Sequence, residues 1–422
     1  MIRTIRYTSP EDLDFLKRGG DADVQSLVRD ILENVRENGD AALLAYSRKF
    51  DGVDLPALEV TDEEIDAAFR KVDPQFIDIL KEAKTNIEAF HRRQIEHGFT
   101  VTDKPGVILG QRVLPLEKVG LYVPGGTAAY PSSVLMNCVP ASLAGCGEIV
   151  MVTPPAKDGS VNPVILAAAK VAGVGRIFKV GGAQAVAALA FGTQSVPKVD
   201  KIVGPGNRFV AEAKKQVFGT VDIDMIAGPS EILIVADGTC DPRFVAADLL
   251  SQAEHDKLAS AVLLTDSEAL AAGVTQELER QLPLLERCAI ATHSIDHYGA
   301  IILVQNIEEA IEVSNAIAPE HLELCMDNPF DYLGRVRNAG SVFLGKNCPE
   351  PLGDYFAGPN HTLPTGGTAR FSSPLSVYDF VKRMQFTYFT SDALDAVRDK
   401  VAFFARKEGL TAHARSTEIR FE

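Results

Sequence analysis

Glu148-Ile-Val-Met-Val-Thr153, Asn162-Pro-Val-Ile-Leu-Ala-Ala-Ala-Lys-Val-Ala172, Arg176-Ile-Phe-Lys-Val180 and Ala183-Gln-Ala-Val-Ala-Ala-Leu-Ala-Phe191 follow one another along the chain. The first and third segments are short and carry mostly apolar, Val/Ile-rich runs, as strands buried on both faces do. The second and fourth are alanine-rich and long enough for helices. Lys201–Val203 continues the rhythm as a strand and Arg208–Phe218 as a helix. A second series places strands at Glu231–Val235, Ala261–Thr265, Ala300–Val304, Leu322–Met326 and Ser341–Leu344. Helices near 242–254, 267–281, 307–317 and 330–338 separate them. The expected fold class is α/β, with two doubly wound, incomplete Rossmann-like sheets forming a cleft.

Outside this region the texture differs. Residues 1–100 read as helical: Val24, Leu27, Val28, Ile31, Leu32 and Val35 recur at helical spacing, and an amphipathic run extends from about Glu63 to His97. After Ser373, Val377–Met384 and Ala393–Arg406 read as helices, the latter with Leu394, Val397, Val401 and Phe404 on one face. So small a tail cannot bury that face alone, which predicts docking on the main body or on another subunit.

Composition narrows the function. The 422 residues are 46% hydrophobic with a net charge of −15, which supports a large core and argues against a nucleic-acid surface. No apolar run approaches the roughly 18 residues of a membrane span, and Met1-Ile-Arg-Thr-Ile-Arg6 lacks the apolar core of a signal peptide. Cys138, Cys146, Cys240, Cys288, Cys325 and Cys348 show no Cys-x-x-Cys spacing and read as reduced. A cytoplasmic location is expected.

Four glycine turns, Val123-Pro-Gly-Gly126, Gly181-Gly-Ala-Gln184, Gly204-Pro-Gly-Asn207 and Ala227-Gly-Pro-Ser230, sit beside expected strands. They suit a nucleotide-sized ligand approaching the backbone, or tight turns alone. None is a Gly-x-Gly-x-x-Gly fingerprint. Four of the eight histidines lie in polar segments beside carboxylates or a carboxamide: Gln252-Ala-Glu-His255-Asp, Ala318-Pro-Glu-His321, Gly353-Asp354 with Pro359-Asn-His361, and Glu408-Gly-Leu-Thr-Ala-His413. Imidazole suits both metal binding and proton transfer near neutral pH. Gln252, His255, Asp354 and His413 are metal-type donors, or local caps and surface groups. Glu320 and His321 form an acid–base pair, or an ordinary surface pair at a helix end.

Together with Tyr122-Val-Pro-Gly-Gly-Thr, Val180-Gly-Gly-Ala-Gln-Ala, Ile202-Val-Gly-Pro-Gly-Asn207, Ile226-Ala-Gly-Pro-Ser230-Glu and His361-Thr-Leu-Pro-Thr, these segments resemble the histidinol dehydrogenase family from about residue 25 to the end. The resemblance implies a zinc-dependent, four-electron oxidation of L-histidinol by NAD, through L-histidinaldehyde to L-histidine, at the end of histidine biosynthesis. It implies one Zn2+ per active site on Gln252, His255, Asp354 and His413, with Glu320 and His321 as acid–base residues. Ser230, His361 and Glu408 would contact substrate, together with the zinc ligands and His321, while Tyr122, Gln184 and Asn207 would line the NAD site. It implies a homodimer whose C-terminal segments complete each other's sites.

On this reading residues 1–24 form an arm packing with the tail. Residues 25–115 with 233–375 form the domain of the metal and acid–base residues, 116–232 the NAD domain, and 376–422 the dimer-exchange tail. A related zinc and NAD enzyme acting on another small alcohol, such as sulfopropanediol, is the alternative. A non-catalytic nucleotide-binding protein on the same fold would be expected to lose Glu320, His321 or the metal set.

Overall fold

The computed structural model describes residues 2–16, 22–125 and 129–422. The chain divides into two compact units, one of Met1–Gln94 and Leu116–Phe380, the other of Ile95–Pro115 and Val381–Glu422.

Two parallel sheets frame the larger unit. In one, Arg176–Lys179, Glu148–Thr153, Lys118–Tyr122, Lys201–Val203 and Asp222–Ile223 lie side by side in that order. In the other the order is Arg3–Arg6, Gly299–Leu303, Ser260–Thr265, Glu231–Ala236, His321–Cys325 and Ser341–Leu344. Each winds outward from its first long strand and then reverses, so each has a switch point. One lies between Lys118–Tyr122 and Lys201–Val203, the other between Glu231–Ala236 and His321–Cys325. The doubly wound α/β class expected from the sequence is present.

Alternation along the strands explains why both faces are covered. Val150 and Val152 enter one core with Tyr122, Phe178 and Ile202, while Ile149 and Met151 enter another with Val119, Leu121 and Val203. Helices Ala22–Asn38 and Asp40–Tyr46 add Val28, Ile31, Val35 and Leu43 to the first core. Helix Pro74–His91 adds Ile77, Leu80 and Ile87 to the second. The second sheet splits likewise, Ile232 and Ile234 facing one way, Leu233 and Val235 the other.

Three expectations change here. Residues 22–91 bury their apolar faces mainly in the cores of the sheet built from 118–223, because an amphipathic stripe specifies burial without naming its partner; Asn86 Nδ2 also donates to the Phe356 carbonyl, and Leu375 joins the second core. Arg3–Arg6 is an edge strand paired with Gly299–Leu303 rather than helical, and residues 17–21 lie outside the described residues. Val377–Phe380 is a single 3-10 turn, and Val381–Phe389 is a strand pairing antiparallel with Val107–Pro115 along its whole length. Continuous pairing to a neighbouring strand outweighs the helical preference of Lys382, Arg383, Met384 and Gln385.

The smaller unit holds that antiparallel strand pair, the short strand Phe99–Val101 and helices Ser391–Lys407 and Thr411–Glu418. Its own buried cluster is Ala402, Ala405 and Ala414, while Phe403 and Phe404 stand about two-thirds exposed, at 63% and 66%. Among the described residues no helix is long and apolar enough to cross a membrane.

Candidate active site

Helix Ile307–Ile317 ends at Ala318, whose φ of 56° and ψ of 61° make it the one non-glycine residue with positive φ among the described residues. That conformation costs roughly 1–2 kcal/mol and is found where surrounding structure enforces it, often at functional sites. Pro319 follows, and the chain turns so that His321 becomes the first residue of a central strand.

His321 is fully enclosed. Its Nδ1 lies 2.9 Å from the Glu231 carbonyl, on the neighbouring strand. A carbonyl can only accept, so Nδ1 carries the proton and Nε2 holds the lone pair of a neutral ring. Burial pushes the imidazole down to about 4, against the pull of Asp354 and of the Glu231 carbonyl. Nε2 stands 3.4 Å from Glu350 Oε1, and neither atom has a hydrogen-bond partner among the described residues. The adjacent Glu320 accepts from the Glu231 amide at 2.8 Å. Burial nevertheless pushes its carboxyl well above the usual carboxylate range.

Helix Glu350–Tyr355 brings up Glu350 and, one turn later, Asp354. The Glu350 amide donates to Glu323 Oε1 at 2.8 Å, which ties this helix to the His321 strand. Burial pushes the Glu350 carboxyl up to about 10. Burial would raise Asp354 too, but the His361 ring at 3.3 Å holds its carboxyl well below the usual range. The other nitrogen of His361 is 3.3 Å from Ser133 Oγ on helix Pro131–Ala144, which follows Lys118–Tyr122. Asn360 Nδ2 donates to the Met136 carbonyl at 2.6 Å, so the segment around His361 joins the two sheets' territories.

Gln252 lies in the last turn of helix Pro242–Ala253, and His255 just beyond it. The Gln252 side chain is 1% exposed and its Oε1 lacks a partner among the described residues, a burial that costs about 1–3 kcal/mol unless a ligand satisfies it. Burial lowers His255 while the Asp354 charge opposes this, leaving a neutral imidazole beside an anion. Donor atoms of His321, Glu350 and Asp354 lie within 4.8 Å of one another. Oxygen and imidazole donors of this kind fit a divalent ion such as zinc.

The site occupies an unexpected edge. Ligands in open α/β sheets usually sit beyond the carboxyl ends of the strands. Glu231 and His321 begin their strands instead, and Ser230 immediately precedes one, so these residues line the amino edge. The residues expected from the sequence to line a nucleotide site lie at the carboxyl ends of their strands. Tyr122 ends its strand, and its hydroxyl accepts from the Gly182 amide at 3.0 Å. Gln184 sits in the first turn of helix Gly182–Phe191, and Asn207 caps helix Arg208–Val217 through bonds to Phe209 N and Val210 N. Gly204 has φ +117°, and a Cβ there would stand 2.1 Å from the Tyr122 carbonyl, so only glycine fits. Gly126 and Thr127 of the first glycine turn lie outside the described residues.

Glu408 and His413 belong to the smaller unit, where both line a groove of about 760 Å3 with Val401 and Phe404. Glu231, Glu350 and Ser133 were missed by the sequence reading. Glu350 had one available signal, its place four residues before Asp354 on a helix; the other two had none.

The histidinol dehydrogenase family model matches residues 17–421. The chain belongs to the histidinol dehydrogenase family. Among its relatives, the histidinol dehydrogenase of Clostridium acetobutylicum is 58% identical over 401 residues, covering 95% of this chain and 93% of the relative. That of Listeria innocua is 57% identical over 399 residues, covering 94% and 93%. The solved histidinol dehydrogenase of Elizabethkingia anophelis superposes with a TM-score of 0.94 at 39% identity, covering 99% of this chain and 98% of that one.

Proposed function

We infer that the protein oxidises L-histidinol to L-histidine through the aldehyde, using NAD and a zinc ion, in the cytoplasm as part of histidine biosynthesis. The observation that carries this reading is the enclosed, neutral His321, its Nε2 lone pair unengaged beside the anionic Asp354. NAD, when bound, supplies the acceptor for a hydride in each of two oxidations. Zinc, when bound by Gln252, His255, Asp354 and His413 of the partner subunit, supplies a template for the substrate's nitrogens.

The chain's own groups manage the protons. His321 Nε2 accepts the substrate hydroxyl proton while Nδ1 stays anchored on Glu231, so the ring neither rotates nor changes tautomer. Glu320 takes a proton from the water that adds to the aldehyde; a carboxyl whose neutral form burial favours is a stronger base once ionised. His321, its proton released, serves again for the hydrate. His361 and Ser230 orient the substrate, with Glu408 from the partner subunit. Tyr122, Gln184 and Asn207 hold the dinucleotide; the Asn207 oxygen serves the helix cap, and among the described residues no hydrogen bond engages its side-chain nitrogen.

The smaller unit's exposed Phe403 and Phe404 over a three-alanine cluster support a homodimer in which they are covered. The decisive experiment measures NADH formed per L-histidinol consumed, with and without chelator. Two NADH per substrate, lost on chelation and restored by zinc, is the expected result; no turnover of histidinol by zinc-loaded protein would overturn the reading.

A further inference from the structure

Helix Cys288–Tyr298 carries two histidines that the site above does not use. His293 and His297 are one turn apart, so their side chains share a face. Their rings are stacked, with centroids 4.1 Å apart and planes inclined by 15°. Nδ1 of His293 lies 3.1 Å from the Lys257 carbonyl, and Nδ1 of His297 lies 2.9 Å from the His293 carbonyl.

Both acceptors are carbonyls, so both Nδ1 atoms must carry the proton. Each neutral ring therefore places its lone pair on Nε2. No hydrogen bond engages either Nε2 among the described residues. A metal-binding histidine characteristically donates one ring N–H to a backbone carbonyl, fixing the tautomer and leaving the other nitrogen for the ion. Here two neighbouring rings meet that condition. Bonds of about 2.0–2.1 Å to adjacent coordination positions need nitrogens roughly 3 Å apart. Stacked rings 4.1 Å apart with planes inclined by only 15° direct their lone pairs side by side, so holding one ion requires the two planes to open towards it.

We propose that His293 and His297 form a peripheral site for a late divalent transition ion, distinct from the site at His255 and Asp354. Two imidazole nitrogens plus water favour Cu2+ first, then Ni2+ and Zn2+, whereas Mg2+ and Ca2+ prefer oxygen donors. The helix also grips the segment that follows His255. Ser294 Oγ donates to the Ala259 carbonyl at 2.8 Å, and Arg287 reaches the His255 carbonyl at 3.4 Å. An ion that fixes the His293 ring also fixes its bond to Lys257, and so reinforces that grip.

The test uses untagged, full-length, zinc-loaded protein, with Cu2+ and Ni2+ as probes. Calorimetry should show one additional ion per chain, and Cu2+ electron paramagnetic resonance should show coupling to two imidazole nitrogens. His297→Ala, which removes only an exposed ring, should weaken this uptake at least tenfold with NADH formation unchanged. His293→Ala should weaken it equally. Binding of the probes to His297→Ala as tightly as to the natural protein would overturn the proposal, as would equal uptake by natural protein and the double variant.

Discussion

The ring of His321 and the main-chain carbonyl of Glu231 are joined by a 2.9 Å hydrogen bond between adjacent parallel strands. The ring proposed as the base is thus oriented by the backbone of the sheet rather than by another side chain. Substitution of His321 by asparagine can keep an N–H donor for that carbonyl while removing the ring edge that carries Nε2. His321→Asn should fold with nearly unchanged thermal stability and lose roughly 10²–10⁴-fold in kcat, the usual worth of a general base. Turnover near that of the natural protein would remove His321 from the mechanism.

The same enclosure makes His321 a titration marker. Its folded-state pKa, about 4, lies below the ordinary imidazole value, so the unfolded chain binds the extra proton first as pH falls. Stability contributed by the neutral ring is therefore complete above pH 6.5 and is lost as pH drops towards 4. The shift corresponds to something on the order of 3 kcal/mol. Denaturant unfolding of metal-free protein should show a steeper acid loss than His321→Asn does, and nitrogen-detected NMR should find the Nδ1–H tautomer still present at pH 5. Equal acid slopes for the two proteins would contradict the enclosed neutral ring.

The buried, unpartnered Oε1 of Gln252 gives opposite outcomes with and without metal. Gln252→Met fills similar space without a polar oxygen. In metal-free protein it should be neutral or stabilising, by up to about 1–3 kcal/mol, since an unsatisfied group is removed. In zinc-containing buffer the natural protein should gain melting temperature and the variant should gain much less. A variant that is stabilised by zinc as fully as the natural protein would exclude Gln252 as a ligand.

Lys214 and Asp224 form an ion pair with both side chains 1% exposed. Lys214 also donates to the Gly204 carbonyl at 3.0 Å, and Asp224 accepts from the Gly204 amide at 2.7 Å, so the pair clamps the turn that leads to Asn207. Lys214→Met leaves a buried carboxylate without its cation and should cost about 3–5 kcal/mol. Among molecules that remain folded, KM for NAD should rise more than KM for histidinol. An equal rise in both would show a general loosening rather than a role in holding the Gly204 turn.

The α/β class was legible because Val- and Ile-rich runs such as Glu148–Thr153 alternate with alanine-rich helices, a local pattern with few solutions. What the local pattern could not show was which sheet each amphipathic helix covers, since the stripe of Val28, Ile31 and Val35 would fit either. Val381–Phe389 was misread for the same kind of reason: its partner strand, Val107–Pro115, lies over 260 residues earlier and leaves no trace in the segment itself. His321 and Asp354 could be read from chemistry and resemblance, but Glu231 could not. It acts through backbone atoms, and any residue at that register supplies the same carbonyl and amide.

Glu408 and His413 share a groove in the smaller unit, whereas Glu320, His321 and Asp354 belong to the larger one. If the partner subunit's tail completes each site, the arrangement has a signature that no single-chain site can imitate. His321→Asn and His413→Asn should each give inactive homodimers. In a mixed dimer, one site combines both lesions while the other combines the unmodified His321 of one chain with the unmodified His413 of its partner. Random exchange makes half of the dimers mixed, with one sound site in two, so activity should return to about a quarter of the natural level. Subunit exchange demonstrated by mass spectrometry with no return of activity would place all the ligands within one chain.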